Sequence, residues 1–324
     1  MAEQLITVAG EVLIDLVDQG GGHYQAYNGG SGANVAIGLA RLGVPCSMLA
    51  RLSGDQLGRQ LAANLARNGV SLRDVTRAAE PTTLALATLD GAGRAVYSFY
   101  ANGTADWQWT AAELPGEIRP DVTALHAVSL VLSMPPGASA VEQLLAAEHA
   151  RGAVTISIDP NIRPSLAAGH AEEVARVERQ LRLAHLVKAS EEDIDWLYPG
   201  TGHEEVARRW QRVGPAVVVI TLGERGAFAL APGGAEVRRP APAIKTVDTV
   251  GAGDAFSAGL LDALGQRGLL GGGGAGLGRV TPGELGEALG WAVLIAALTC
   301  ARAGADPPSL AEARRAAEDL RDTA

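Results

Sequence analysis

The run Asp248-Thr249-Val250-Gly251-Ala252-Gly253-Asp254-Ala255-Phe256-Ser257 sets two glycines and a carboxylate before an apolar stretch with helical spacing (Ala255, Phe256, Gly259, Leu260, Ala263, Leu264). A helix starting there leaves its first backbone N–H groups unpaired, and its dipole favours an anion beside them. Glycine has no Cβ, so a phosphate can come close to that backbone. As a plain N-terminal cap Asp254 is ordinary. Beside a bound phosphate it repels the ligand, unless it takes the proton of the hydroxyl that attacks the phosphate. That reading makes the stretch a phosphoryl-transfer turn. Two other glycine motifs are excluded: GxGxxG needs a third glycine where Phe256 stands, and no GxxxxGK[ST] occurs.

A second cluster, Gly29-Gly30-Ser31-Gly32-Ala33-Asn34, opens a helical pattern of Val35, Ile37, Leu39, Ala40 and Leu42 that Gly43 stops. Asn34 falls in its first turn, where a short amide can donate and accept at once. Asp15 interrupts the apolar run Val12–Leu16, which is costly for a carboxylate unless it is hydrogen-bonded. Asp159-Pro160-Asn161-Ile162-Arg163-Pro164 follows an apolar strand, at the edge where open α/β sheets bind ligands. Arg163 offers a planar fork for a carboxylate or a phosphate.

These strings resemble the two signatures of the ribokinase (PfkB) family of carbohydrate kinases, in the same order, and the likeness covers nearly the whole chain. The resemblance implies that Asp254 is the catalytic base and that the amides of Gly251, Ala252 and Gly253 hold the transferring phosphate. It implies a sugar site of Asp15, Gly29, Gly30, Ser31 and Asn34, with Arg163 beside it. Tyr97, Phe99 or Tyr100 would cover the sugar from a small β lid, and strand alternation admits only one parity. Lys188-Ala189-Ser190-Glu191-Glu192-Asp193 reads as a capped, acid-rich first turn of a helix. It corresponds to the family's magnesium motif, with Ser190 and Asp193 in the matched positions and Asp193 acting through water. Lys188, Ser190, Thr221, Gly223, Gly226 and Gly253 would meet the nucleotide. Asp248 and Val250, with the Arg302–Gly304 turn, match a monovalent-cation loop, although Pro308 replaces a serine that often completes it. ATP and Mg²⁺ are therefore the implied cofactors, with K⁺ as a further candidate.

The elements that must position these residues alternate between strand and helix. Apolar runs at Leu5–Ala9, Val12–Leu16, Ser47–Leu52, Val128–Leu132, Val154–Asp159, Leu186–Lys188, Ala216–Thr221 and Ala227–Leu230 read as strands. Helical patterns span Ser31–Leu42, Asp55–Asn68, Ala140–Arg151, Ala171–Ala184, Glu204–Arg212, Gly253–Gly265 and Pro282–Arg302. Such alternation predicts a mainly parallel sheet with helices on both faces. Thr82–Leu89 and Arg94–Tyr100, separated by Asp90-Gly91-Ala92-Gly93, read as a hairpin. The expected fold is α/β: a ribokinase-like three-layer α/β/α domain over 1–324, with a β lid from about 12–16 and 82–100. The Gly271–Gly274 run reads as a flexible linker, and the family topology would put it near the nucleotide end.

Composition narrows the function classes. Apolar residues make up 47% of the 324, enough for a large core. The net charge of −9, without long runs, argues against a nucleic acid or an anionic membrane as partner. Cys46 and Cys300 form neither a disulfide framework nor a zinc pattern. No leader pattern opens the chain, and Trp291–Cys300 reads as a buried core helix. A cytoplasmic protein is expected, with a homodimer through the lid. The leading function is an ATP-dependent fructokinase making fructose 6-phosphate, with 2-keto-3-deoxygluconate kinase or ribokinase as alternatives. A non-catalytic sugar- or nucleotide-binding relative is the alternative from another class. An NAD-dependent oxidoreductase is disfavoured by the missing GxGxxG.

Overall fold

The computed structural model describes residues 4–89 and 95–322. Strands and helices are numbered along the chain. The main sheet contains β1 (Leu5–Ala9), β4 (Cys46–Ser53), β5 (Val75–Ala78), β8 (Val122–Val128), β9 (Thr155–Asp159), β10 (Leu186–Ser190), β11 (Val217–Thr221), β12 (Ala227–Leu230) and β13 (Glu236–Arg239). Their spatial order is β13-β12-β11-β10-β9-β8-β1-β4-β5. All neighbours pair in parallel except β12, which is antiparallel to β11 and β13.

Helices cover both faces. On one lie α1 (Ser31–Arg41), α2 (Gln56–Arg67), α7 (Ala252–Gln266), α8 (Pro282–Cys300) and α9 (Leu310–Asp322); on the other lie α3 (Gly137–Arg151), α4 (His170–Leu181), α5 (Glu191–Leu197) and α6 (His203–Gln211). The run Val217-Val218-Val219-Ile220 shows why the sheet must be covered twice: Val217 and Val219 join one core, Val218 and Ile220 the other. Truncating a fully buried member such as Leu125 to alanine would cost about 2–5 kcal/mol. Helix starts follow local chemistry. Asp55 accepts from the Gly58 N–H at 2.7 Å to begin α2, and a Thr281–Glu284 capping box with Pro282 in the first turn begins α8.

A second sheet stands apart, in the order β3-β2-β6-β7, from β2 (Leu13–Asp18), β3 (Tyr24–Gly29), β6 (Leu84–Leu89) and β7 (Ala95–Tyr100). The antiparallel β6–β7 pair is the expected hairpin; its turn, Asp90–Gly93, lies outside the described residues.

Three expectations need correction. The strand expected at Val128–Leu132 ends at Val128, because Ser129 takes a φ of 64° and the chain turns into a 3-10 segment through Leu132. The glycines at 271–274 are not a loose linker near the nucleotide end. Gly272 donates to Ala153 and Gly271 to Thr155, so the run packs where β9 begins, at the sheet edge opposite the site. The helix containing Trp291 runs from Pro282 to Cys300, within the expected Pro282–Arg302 pattern. By length and a mean hydropathy of 1.3, Pro282–Cys300 could cross a membrane, but half of that window is buried inside the fold, where α8 packs along α7. Finally, β3, β5, β13 and α9 were not anticipated.

Candidate active site at the carboxyl edge of the main sheet

The turn before α7 is capped by its own backbone. Gly251 adopts φ 75° as the N-cap and supplies no side-chain hydrogen bond. A Cβ there would stand 2.5 Å from the Ala305 Cβ, so only glycine fits. Ala252 N–H donates to Thr249 at 3.2 Å and Ala255 N–H to Gly251 at 2.8 Å, leaving the Gly253 and Asp254 N–H groups without a backbone acceptor among the described residues. Two free donors at a helix N-terminus make an anion site. Asp254 is the third residue of the helix and not its cap, contrary to the plain capping reading.

What Asp254 does instead is bind α1. Its side chain is 7% exposed; the Ser31 hydroxyl donates to Oδ1, and the Asn34 amide to Oδ2 at 2.8 Å. The two glycine signatures thus meet at one carboxylate. Gly30, at φ 101°, lets α1 start so close to the β1–β2 connection that a Cβ would lie 2.4 Å from the Glu11 carbonyl oxygen.

Below the α7 turn lies a buried cation. Lys188, 5% exposed, donates from Nζ to Asp159 Oδ2 at 2.9 Å, and a Cβ on Gly253 would be 3.1 Å from that Nζ. Burial alone would lower the Lys188 ammonium, but Asp159, Asp193 and Asp254 hold it above its ordinary value. Burial pushes the Asp159 carboxyl up to about 6, with Lys188 opposing. Both remain charged at neutral pH.

The loop after β9 closes the site from the other side. Asn161 takes a φ of 39°, uncommon for a side chain other than glycine, and donates from Nδ2 to Ser31 Oγ at 2.9 Å. Arg163 donates to Asn161 Oδ1 at 2.7 Å. Asp15 lies across the gap. Burial raises its carboxyl to about 6, the Arg163 charge pulling it down and Asp254 pushing it up. Gly29 makes room for Asp15, since a Cβ would stand 1.9 Å from Asp15 Oδ2.

Register in the small sheet decides which aromatic residues share a face with Asp15. Asp15 pairs with Tyr27 and with Ala85, and Ala85 with Phe99, so these residues share a row and a face. Phe99 packs towards Ala101, Trp107 and Leu130, whereas Tyr100 is 61% exposed on the opposite parity. Tyr97 pairs with Ala87, and its side chain lies outside the described residues.

The remaining expected residues line the neighbouring strand ends. Ser190 and Asp193 form a complete capping box for α5, and Asp193 also accepts the Ile162 N–H at 2.7 Å. Its oxygens are therefore engaged, and no cluster of three metal-ligating side chains exists among the described residues. Mg²⁺ ligated directly by this chain does not fit; an ion held by nucleotide phosphates and water does. Thr221 pairs with Ser190, and Gly223 and Gly226 close the β11–β12 turn, with Gly226 at φ 89° against β13. Asp248 accepts from Val250 N–H at 3.0 Å and Gly304 N–H at 2.8 Å, stapling two loops together. Sequence reasoning passed over Glu11, Asp106 and the pairing role of Asp159. Glu11 and Asp159 are buried carboxylates beside an apolar run, the signal that singled out Asp15; Asp106, buried among Gly103–Thr110, carries no such signal.

Known proteins are similar to this chain in sequence and fold. The family described as "pfkB family carbohydrate kinase" matches residues 3–312. A fructokinase of Rhizobium leguminosarum bv. trifolii is 36% identical over 270 residues, covering 82% of this chain and 81% of its own length. The crystal structure of a fructokinase with bound ATP from Xylella fastidiosa superposes with a TM-score of 0.89 at 26% identity, over 99% of this chain and 100% of that one. A fructokinase double mutant from Vibrio cholerae O395, solved with fructose, ADP and potassium ion, gives 0.83 at 27% identity over 97% and 98%. With a profile match across nearly its full length, the chain belongs to the pfkB family of carbohydrate kinases.

Proposed function

We propose that the protein is an ATP-dependent fructokinase that makes fructose 6-phosphate, with Asp254 as its general base. One observation carries this reading. A buried carboxylate, oriented by Ser31 and Asn34, lies at a helix N-terminus with two free N–H groups and a buried lysine alongside. A protein that only bound phosphate would gain nothing from that carboxylate.

In the proposed reaction Asp15 accepts hydrogen bonds from sugar hydroxyls, in the socket that Gly29 and Gly30 leave open. Asp254 takes the proton of the attacking hydroxyl. That oxygen forms a bond to the γ-phosphorus as the bond to the β–γ bridging oxygen breaks, and ADP leaves. The free amides of Gly253 and Asp254, with Lys188, receive the charge on the transferring group; the expected donor Ala252 is instead engaged with Thr249. Phosphoryl transfer rests mainly on positioning and electrostatics, which these groups supply. Ser190, Thr221, Gly223 and Gly226 border the nucleotide, and Mg²⁺ comes with the phosphates, meeting Asp193 through water.

Fructose is favoured over 2-keto-3-deoxygluconate, because a substrate carboxylate in the sugar socket would face the Asp15 and Asp254 carboxylates, with Arg163 as the cation beside Asp15. The sugar and nucleotide named for the Vibrio cholerae structure support the same choice. Its potassium ion supports a monovalent cation between the loops that Asp248 joins, beside Val250. We further take 1–324 as one kinase domain with the small sheet as lid. Tyr24 and Tyr100, exposed on that sheet, are candidates for contact with a second copy. ATP as donor favours a cytoplasmic setting.

A coupled ADP-release assay across fructose, 2-keto-3-deoxygluconate, ribose and adenosine tests the assignment. Fructose should show the highest kcat/KM. A preference for 2-keto-3-deoxygluconate would replace the substrate, and release with none of the four would overturn the reading.

A further inference from the structure

The chain passes between the main sheet and the lid at four places: 10–12, 30–31, 81–83 and 101–105. Two buried carboxylates outside the site described above tie all four together. Glu11, 4% exposed, accepts the Ser31 N–H at Oε1 (3.0 Å), while its backbone carbonyl accepts the Ala33 N–H at 3.3 Å. Asp106 accepts the Val12 N–H at 2.8 Å and the Thr83 hydroxyl on its other oxygen. Thr83 in turn lies 2.6 Å from the Thr104 hydroxyl, which donates to the Ala101 carbonyl at 2.9 Å.

Glu11 does what a cap would ordinarily do for α1. The N-cap position is Gly30, which has no side chain and cannot acquire one against the Glu11 carbonyl. The acceptor for the first helical N–H therefore comes from a different crossing, 20 residues earlier. That N–H belongs to Ser31, whose hydroxyl donates to Asp254 and accepts from Asn161. Glu11 is thus one residue removed from the carboxylate that the site is built around. Its second oxygen, Oε2, is buried with no partner among the described residues. Burial pushes the carboxyl up to about 7, with the Ser31 N–H and Arg163 opposing and Asp106 adding to the rise. Half-satisfied buried carboxylates are costly to keep, which argues for a constraint other than stability.

We propose that Glu11 is a positioning residue for phosphoryl transfer: it fixes Ser31, and through Ser31 the Asp254 carboxylate, to the strand crossing that carries Asp15 and the lid. Asp106 holds the same crossing from its other side. Sugar socket, lid and base thereby keep one relative geometry. The inference rests on the kinase reading above.

Glu11→Gln keeps the oxygen that Ser31 needs and should turn over at the wild-type rate. Glu11→Asp retains the charge but is one methylene too short to reach Ser31. Its kcat, measured on folded protein, should fall about tenfold to a hundredfold, as a displaced reacting group does. KM for ATP should stay unchanged in both variants. A merely structural carboxylate would lower the melting temperature and leave kcat per folded molecule intact, and wild-type kcat in Glu11→Asp would overturn the proposal. Should the wild type phosphorylate none of the four acceptors, the kinase reading fails by itself. Glu11 is then judged by amide exchange at Ser31. Exchange should quicken in Glu11→Asp and not in Glu11→Gln; equal rates in the two variants would overturn the role.

Discussion

The side-chain amide of Asn34 donates to Oδ2 of Asp254 at 2.8 Å, joining residues 220 positions apart. Through it the start of α1 and the start of α7 face one another, and α1 packs along α7 behind them. A sugar held at the first helix and a phosphate held at the second would meet at this carboxylate.

Lys188 and Asp159 allow a charge role to be separated from a packing role. Lys188→Met leaves Asp159 buried and unpaired, which costs about 3–5 kcal/mol. Adding Asp159→Asn removes that penalty, so the double variant should melt close to wild type. It should still phosphorylate fructose at least about a hundred times more slowly, because the charge beside Gly253 is gone. Melting curves and kcat on the two variants check this. Full activity in the double variant would make the pair structural.

Gly29 gives a steric test of the sugar socket. Gly29→Ala puts a methyl carbon into Asp15 Oδ2 and forces that carboxylate aside. KM for fructose should rise about tenfold or more, while KM for ATP stays near wild type, the loss of one charged hydrogen bond being worth about 1.5–3 kcal/mol. Equal effects on both constants would place Asp15 outside the sugar site.

The acid limb of the pH profile follows from Asp15. Its carboxyl is raised by burial from 3.8 to about 6 in the folded protein. Between those values the folded state holds a proton that the unfolded state has lost. This group's contribution to stability is therefore present in acid and lost as the pH rises through that window. Activity runs the other way, since the ionised form accepts the sugar hydroxyls. The prediction is that kcat/KM for fructose falls below about pH 6 while the melting temperature does not fall with it. A flat kcat/KM between pH 5 and 7 would contradict it.

Much of this was legible in the sequence where local chemistry decides. The run Val217–Thr221 cannot be solvent-facing, and the glycines before α7 and α1 mark backbone that must approach something closely. Edges were harder. β5 and β13 carry Arg77, Glu236, Arg238 and Arg239, the charges that keep edge strands from further pairing, so they lack an apolar signature. The end of β8 is set by the turn at Ser129, inside a run apolar on both sides of it. Choosing Phe99 over Tyr100 needed the parallel pairing of β2 with β6, a contact between segments some 70 residues apart that no periodicity encodes. Glu11 carried the same signal as Asp15, a carboxylate in an apolar setting, but its role depends on a glycine N-cap that only the packing shows.

The most direct test of the account is kcat for fructose phosphorylation by Asp254→Asn, measured on protein whose melting temperature and ATP binding are recorded alongside. Asparagine keeps the size of the side chain and an acceptor for Ser31 or Asn34, so the variant should fold and bind ATP. It cannot accept the proton of the attacking hydroxyl, and removal of a general base costs roughly 10²–10⁴-fold in rate. The account predicts a loss of at least about a hundredfold in kcat with ATP binding retained. A folded variant with near-wild-type kcat would contradict it.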